Sequence, residues 1–390
     1  MPSSSLHLGR HHRVPRRQTG HDPRRWCGTS VKRRDFLKSL SLFFAHSAVP
    51  LIRPLGATGS VVGQTASVCD IHIHLLGTSE TNDCFVSREY AKSLVYRASS
   101  LFIDIDQSGS PEERDTKYVA RLKQLFDESD QHRYGVLLAM DGVYDAAGNL
   151  NKEDTPFYVS NDYLLSVCAE KEEFVPGASV NPHRKDALDE LAKVAEQGAV
   201  LVKWIPNSQN IDPSDDRLIP FYRRLRELNL PLLSHSGTEH TVSSVDQSYG
   251  DPARLRTALE EGVKVIVAHC AAGGGDRDGS YFYRFIDLLG DYANLHGDIS
   301  GLGMLHHQRR MRYLLDHPAL FERMYYGSDF PLLSFPFTSP YYFLGRLPLS
   351  KAWRILEVDN ILLRDAAKLQ ALDVPPSCLA RGMNLISETT

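Results

Sequence analysis

The sequence predicts an α/β fold of the TIM-barrel type, a (β/α)8 barrel of eight parallel strands. From Ser67 onward, short apolar segments rich in Val and Ile alternate with helical patterns, as in parallel βα units. The predicted strands are residues 67–74, 134–141, 175–181, 200–205, 230–235, 263–269, 295–300 and 324–329. Eight strands predict a closed barrel, and barrels of about 250 residues or more commonly form a single domain.

Helices between the strands are marked by periodicity and by end signals. Residues 186–197 carry apolar side chains at helical spacing and are followed by Gly198. Segments 220–229 and 252–261 each begin with proline, which the first turn of a helix accepts. These segments are therefore predicted to be the crossover helices of the barrel.

Two connections are longer than the others. Residues 76–132 contain two helical patterns and are expected to form an enlarged connection over the barrel mouth, whereas 145–158 is a polar loop. Closing helices are predicted near 350–356 and 361–372. Substrate specificity in such barrels resides in connections of this kind.

The domain organisation follows the distribution of charge. We expect a barrel over residues 67–375, an N-terminal tail with an export signal over 1–59 and a C-terminal tail over 376–390. Residues 1–59 hold eleven Lys or Arg against two acids, so the net charge of -4 leaves -13 for residues 60–390. An acidic folded part argues against a nucleic-acid partner. With 42% hydrophobic and 24% charged residues, the composition is ordinary for a soluble globular protein.

A twin-arginine export signal is predicted near the N-terminus. Arg33 and Arg34 are followed by Asp-Phe-Leu-Lys, by the apolar stretch 39–52 and by small residues at 56–60. The apolar stretch is too short and too interrupted for a stable membrane span. We expect export through the twin-arginine machinery to the periplasm or beyond. The alternative is an amphipathic helix with a chance arginine pair.

The number and spacing of the cysteines indicate reduced thiols. The six cysteines contain no CxxC pair, and the five that follow the predicted signal are an odd number. A disulfide framework is therefore not predicted. Buried, reduced cysteines fit a protein that folds before it is exported.

Residues able to bind a metal recur at five predicted strand ends. They are His72 and His74 on the first strand, Lys203 on the fourth, His235 on the fifth, His269 on the sixth and Asp329 on the eighth. Side chains two apart on a strand point the same way, and parallel strands end at the same rim of a barrel. We therefore expect these residues to converge.

Imidazole and carboxylate ligands suit Zn, Mn, Fe or Co, and a site with three or four protein ligands leaves a position for water. A bound ion lowers the pKa of that water to about 7, and Asp329 is placed to accept its proton. Singly, a strand histidine is more often structural, and Lys203 would usually be salt-bridged. Five strand-end positions in order favour a functional site.

The ordered set HxH, Lys, His, His, Asp resembles the amidohydrolase superfamily, and local segments resemble its amidohydrolase-related (type 2) branch. These segments are 201–207 (LVKWIPN), 267–270 (VAHC) and 326–331 (YGSDFP), and the resemblance covers 70–372. It implies a metal-dependent (β/α)8 barrel. It also implies that a single divalent ion would be held by His72, His74, His235 and Asp329.

The number of ions depends on Lys203. In the mononuclear version of the site, His269 orients the water or protonates substrate. In binuclear relatives the lysine is carboxylated and bridges two ions, with His235 and His269 on the second. Lys203 matches the bridging position, but the type 2 branch often uses one ion, which we favour. We expect zinc, with Mn, Fe or Co as alternatives.

Other polar residues near the rim are candidates for substrate binding, although each could equally stabilise a loop. They are Asp141, Asn181, His183, Glu239, His240, Arg277 and Asp298. His132, His306 and His307 are expected on helices or at the surface.

The leading functional hypothesis is hydrolysis of a C–N, C–O or lactone-type bond of a small molecule by metal-bound hydroxide. The second is non-oxidative decarboxylation of an aromatic or unsaturated acid, which relatives in the same branch carry out with one metal. A third is an exported binding protein that kept the barrel and lost turnover. The sequence is also compatible with assembly into a homodimer.

Overall fold

The computed structural model describes residues 67–93, 96, 108–274, 280–332 and 338–388. The predicted export signal and Arg277 lie outside these residues. Within them, no helix is long and apolar enough to cross a membrane.

Ten strands occur in the described residues. They are β1 (Val68–His74), β2 (Phe85–Val86), β3 (His132–Leu138), β4 (Phe157–Tyr158), β5 (Phe174–Ala178), β6 (Leu201–Trp204), β7 (Leu232–Gly237), β8 (Val265–Gly273), β9 (Leu295–Asp298) and β10 (Met324–Tyr325). Eight of them form one parallel sheet in the order β1-β3-β5-β6-β7-β8-β9-β10. The predicted barrel is confirmed.

The barrel closes between its first and last strands. The Ile71 N–H donates to the Tyr326 carbonyl at 3.1 Å, and the His74 N–H donates to the Phe330 carbonyl at 2.8 Å. A parallel bridge joins Ile73 to Phe330. The chain therefore continues beside β1 well past the two residues of regular β10, which explains why a strand was predicted as far as Asp329.

Helices lie between the strands and after the last one. They are α1 (Arg88–Ala91), α2 (Pro111–Asp127), α3 (Asn161–Ala169), α4 (Ala187–Glu196), α5 (Pro206–Gln209), α6 (Ile219–Glu227), α7 (Arg256–Glu260), α8 (Ser280–Asp291), α9 (Gln308–Asp316), α10 (Leu349–Leu356), α11 (Ile361–Ala371), α12 (Pro376–Ala380) and α13 (Gly382–Ser387). Short 3-10 turns precede several of them, for example Pro252–Leu255 before α7.

The barrel interior is packed with apolar side chains. Cys69 and Ile71 from β1 meet Val136, Leu233 and Ile266 from other strands. The spaces between strands and helices form two further apolar clusters. The interior is thus a solid core, and the wider space lies beyond the carboxyl ends of the strands.

The last residues close the opposite end of the barrel. We expected a C-terminal tail over 376–390, but residues 376–387 form α12 and α13. Leu385 joins the interior cluster, and Gly382 lies directly against the side chains of Cys69 and Ile71. The prediction of a tail was wrong because apolar residues such as Leu379 and Leu385 are buried under the strands.

The two long connections are joined to each other. β2 lies in the connection that follows β1, and β4 ends the predicted loop 145–158. They pair in an antiparallel two-stranded sheet with Phe85 opposite Tyr158. The aromatic rings of these two residues stack with centroids 5.5 Å apart.

Candidate metal and substrate site

Three of the predicted ligands meet at one point above the interior core. His72 Nε2 is 3.2 Å from His74 Nε2 and 3.3 Å from Asp329 Oδ1. His74 Nε2 is 3.2 Å from the same Asp329 oxygen. His269 also belongs to this group, since His72, His269 and Asp329 each offer a ligand atom within 4.8 Å of the others.

An irregularity in β1 directs its two histidines into the site. Cys69 and Ile71 face the barrel interior, and simple alternation would turn His72 outward. Pairing with β3 shifts between Asp70 and Ile73, and such irregularities re-aim side chains. The Asp70 carboxylate stabilises this conformation, because Oδ1 accepts the His72 N–H at 3.0 Å and the Ser328 N–H at 2.9 Å.

Asp298, at the end of β9, orients two of the histidines. Its Oδ2 is 2.8 Å from His72 Nδ1, and its Oδ1 accepts the His269 N–H at 2.8 Å. Burial alone would raise the pKa of Asp298, but the interaction and hydrogen bond with His72 hold it well below its ordinary range. An ionised carboxylate requires the hydrogen of His72 on Nδ1, so the Nε2 lone pair is available to a metal.

Left-handed backbone is concentrated at the site. His269, Cys270 and Ala271 in β8 have φ values of 57°, 48° and 53°, and Asp329 has a φ of 60°. The other described non-glycine residues with positive φ are Asp or Asn, the types that adopt this conformation most readily. A run of three such residues in a strand costs free energy, which is typical of functional sites.

Lys203 and His235 complete the ring of predicted residues. Lys203 Nζ is 2.9 Å from His72 Nε2, and burial lowers the pKa of this lysine to about 8. His235 Nε2 is 3.5 Å from Glu239 Oε2 and makes no hydrogen bond within the described part of the chain. Burial, with the positive charge of neighbouring groups, lowers the pKa of His235 well below its ordinary value.

This donor set fits a divalent metal ion. Burial, followed by the charge of Lys203, lowers the pKa of His72 to about 3, so the imidazole is neutral at pH 7. Burial alone would raise the pKa of Asp329, but the nearby histidines hold it well below its ordinary range, so the carboxylate is ionised. Neutral imidazoles beside a carboxylate are the ligands that Zn, Mn and Fe share.

A pocket opens from the ligands toward solvent. Its floor includes His74, His235, His269 and Asp329, and its volume is about 1150 Å³, including space open to solvent. The wall is largely apolar, with Leu76, Tyr90, Tyr96, Met140, Phe157 and Ile205 among its residues. Apolar walls with a few polar groups are typical of sites for small molecules.

Several candidates for substrate binding have structural roles instead. Asp141 accepts the Asn181 N–H at 2.7 Å, and Asn181 donates to the Gly142 and Gln209 carbonyls. Both side chains are buried in loop packing. Asp298 binds histidines rather than substrate. Of the described candidates, Glu239 alone lines the pocket; His183 and His240 do not.

Three contributors were missed by sequence reasoning. Asp70 was visible in the DxHxH segment, but its role depends on a bulge. Ser300, whose Oγ is 2.8 Å from His269 Nδ1, follows Asp298 by two residues, a spacing that could have indicated it. Arg114 on α2 lines the pocket, and nothing in the sequence distinguishes it from the other basic residues of that helix.

Known structures share the fold at low identity. An uncharacterised TIM-barrel protein from Bordetella bronchiseptica is 17% identical, with a TM-score of 0.51 and coverage of 78% of this chain and 99% of that one. 2,6-Dihydroxybenzoate decarboxylase from Rhizobium is 13% identical, with a TM-score of 0.47 and coverage of 84% of this chain and 100% of that one. 5-Carboxyvanillate decarboxylase from Novosphingobium aromaticivorans, complexed with manganese, is 14% identical, with a TM-score of 0.43 and coverage of 80% of this chain and 97% of that one.

No curated protein sequence matches significantly. The family model described as Amidohydrolase matches residues 69–360, which is most of the chain and includes every predicted ligand. Together with the barrel and the converging strand-end ligands, this match shows that the chain belongs to the amidohydrolase family.

Proposed function

We propose that the protein is a metal-dependent decarboxylase that removes carbon dioxide from an aromatic carboxylic acid without an oxidant. The apolar, aromatic wall that faces the His72, His269 and Asp329 cluster carries this proposal. The sequence alone favours hydrolysis over decarboxylation, whereas the pocket favours decarboxylation.

The wall suits an aryl ring. The Tyr90 ring centroid is 5.6 Å from that of Tyr96 and 6.4 Å from that of Phe157, which gives a continuous aromatic surface. Aromatic rings bind such surfaces in offset or edge-to-face arrangements. Met140 and Ile205 extend the same apolar surface.

The apolar wall also favours loss of a carboxylate. Decarboxylation converts a charged group into neutral carbon dioxide, so apolar surroundings destabilise the reactant more than the product. Hydrolysis, by contrast, requires a water molecule beside the scissile bond.

His72, His74 and Asp329 would hold the ion, with His235 next to them. A bound divalent ion would fix the reacting carboxylate and act as a Lewis acid. These residues position the acid so that its ring lies toward Tyr90 and Phe157.

The reaction balances with one proton. The bond between the ring carbon and the carboxylate breaks, its electron pair stays on the ring carbon, and carbon dioxide leaves. His269 supplies the proton to that carbon, while its ring is held by Ser300 Oγ at Nδ1. Solvent at the pocket mouth returns the proton to His269.

The hydrolase remains the second candidate, because Asp329 is placed as a general base. Its Oδ1 lies beside two imidazoles at the floor of an open pocket, where it would accept a proton from the attacking water, and an ion held by these residues would supply Lewis acidity. The activity would then be cleavage of esters, lactones or amides.

The two reactions are separated by product analysis in deuterium oxide. Metal-loaded protein is incubated with a panel of hydroxybenzoic acids and, separately, with aryl esters, lactones and amides. We expect carbon dioxide release and one deuterium on the ring carbon that carried the carboxylate. His269→Gln should lose this activity by about 100-fold or more, whereas His317→Gln, at an exposed helix end, should retain it. Hydrolysis without carbon dioxide release would reject the decarboxylase.

We also propose that the protein is exported by the twin-arginine route and that the predicted signal acts through Arg33 and Arg34. A double substitution, Arg33→Lys with Arg34→Lys, should retain the protein in the cytoplasm. Export of that variant at the unchanged rate, measured by cell fractionation, would contradict this proposal.

A further inference from the structure

Arg114 places a positive charge in the pocket wall. It lies in the first turn of α2, which passes over the barrel mouth, and it lines the same pocket as His74 and Asp329. Its Nε is buried and has no hydrogen-bond partner among the described residues. Leaving a buried donor unpaired costs free energy, which a bound acceptor would recover.

The helix that carries Arg114 is fixed at two points. The neighbouring Asp115 carboxylate accepts bonds from the Thr78 N–H at 2.8 Å, the Ser79 N–H at 3.1 Å and the Asn82 side chain at 3.1 Å. One turn later, the Tyr118 hydroxyl donates to the His74 carbonyl. The connection after β1 therefore positions Arg114 relative to the predicted ligands.

The nearby acids are engaged elsewhere. Asp115 is used by the connection after β1, as described. Glu239, on the other side of the pocket, accepts the N–H groups of Thr241 and Val242 and faces His235. No ion pair joins either carboxylate to Arg114 in the described structure. The guanidinium is thus available to a ligand.

We propose that Arg114 binds a second carboxylate of the substrate, one that stays attached through the reaction. This inference rests on the proposed decarboxylation, in which the reacting carboxylate lies at the metal ligands. A guanidinium forms two parallel hydrogen bonds with a carboxylate, and an apolar surround strengthens them. The substrate class is then an aromatic dicarboxylic acid, whose ring lies along Tyr90 and Phe157 between the two anionic groups.

Binding of simple probes tests the proposal without turnover. The metal-loaded protein is titrated calorimetrically with benzoate and with the three isomeric benzenedicarboxylates. We expect at least one dicarboxylate to bind about ten-fold or more tightly than benzoate, since its second carboxylate adds charge-assisted hydrogen bonds to Arg114. Arg114→Met should abolish that preference and leave benzoate affinity within about two-fold, and Arg114→Lys should restore part of it.

Arg121→Met is the matched control, because Arg121 lies on the same helix and does not line the pocket. It should leave all four affinities unchanged. The proposal is overturned if benzoate and every dicarboxylate bind alike, or if Arg114→Met weakens benzoate and the dicarboxylates equally.

Turnover separates this inference from the proposed function. If carbon dioxide is released equally well from monocarboxylic and dicarboxylic acids, Arg114 has no such role and the decarboxylase stands. If Arg114 selects dicarboxylates in binding but no acid releases carbon dioxide, the anion site stands and the proposed reaction is wrong.

Discussion

The two ends of the barrel differ in what they bury. At the carboxyl ends of the strands, the buried groups are His72, Lys203, His235, Asp298 and Asp329, and part of the backbone is left-handed. At the opposite end, α12 and α13 cover the interior with apolar side chains such as Leu385. The first end holds groups that prefer water, and the second holds groups that avoid it.

The difference indicates that the two ends of the barrel have different roles. Burial of charged and imidazole groups lowers stability unless each is paired, whereas apolar burial raises it at about 25 cal/mol per Å². We therefore expect substitutions of the buried polar side chains at the carboxyl ends to change metal affinity, and substitutions of core residues at the opposite, closed end to change stability.

Asp298→Asn should weaken metal binding by about 10- to 100-fold. An amide does not carry the charge that fixes the hydrogen of His72 on Nδ1, so the ring is no longer oriented as a ligand. Metal affinity is measured by competition with a chelator. Asp141→Asn is the control, since that buried carboxylate contacts Arg184 and, among the described residues, no histidine. An equal loss of affinity in both variants would contradict the specific role of Asp298.

Gly382→Ala should destabilise the protein by about 1–3 kcal/mol and leave metal affinity unchanged. The added Cβ would lie 2.6 Å from Cys69 Sγ and from Ile71 Cγ2, which are fixed in the core. Urea unfolding measures the effect. Gly290→Ala, in α8 with no atom within 4 Å of its new Cβ, should be neutral or stabilising by about 0.5–1 kcal/mol. If the two alanines behave alike, α13 does not pack as described.

His132, the first residue of β3, should make stability depend on pH at the closed end. Burial lowers its pKa to about 3, from 6.5 in an unfolded chain. Between these values the unfolded state binds the extra proton, so the free energy of unfolding falls as the pH decreases from 6.5 toward 3. His132→Phe should remove about 1 kcal/mol of the loss between pH 7 and pH 5.5. Urea unfolding at both pH values measures it, and an unchanged pH dependence would show that His132 is not responsible.

Ala271→Gly should have the smallest effect, a gain of about 0.5 kcal/mol. Glycine relieves the left-handed conformation at φ 53°, and this gain exceeds the added entropy of the unfolded chain only slightly. Ala268→Gly, in the same strand but without positive φ, should instead lose about 1 kcal/mol. Thermal unfolding compares the two. A loss in both would mean that the backbone at Ala271 is not strained.

Sequence reasoning located the strands and the residues at their ends because both depend on local patterns. The alternation of apolar segments with helical periodicity placed β1, β3 and β5 to β9 within a few residues. The rule that parallel strands end at one rim then brought His72, His74, His269 and Asp329 together.

Features that depend on contacts between distant segments were not accessible in this way. The register shift in β1 requires a bond from Ser328 to Asp70, and the role of Asp298 requires its approach to His72. His132 was expected on a helix or at the surface but is buried beside Phe126, with ring centroids 5.7 Å apart. In each case the conformation, role or burial of the residue depends on a contact with a residue more than twenty positions away or with a packed aromatic ring.

The pairing of β2 with β4 has a consequence for changing the specificity of this enzyme. One strand belongs to the segment that presents Arg114, and the other includes Phe157 of the aromatic wall. Exchanging either connection alone with that of a relative would break the two-stranded sheet and move the remaining half. Variants intended to alter substrate specificity therefore have to exchange both connections together.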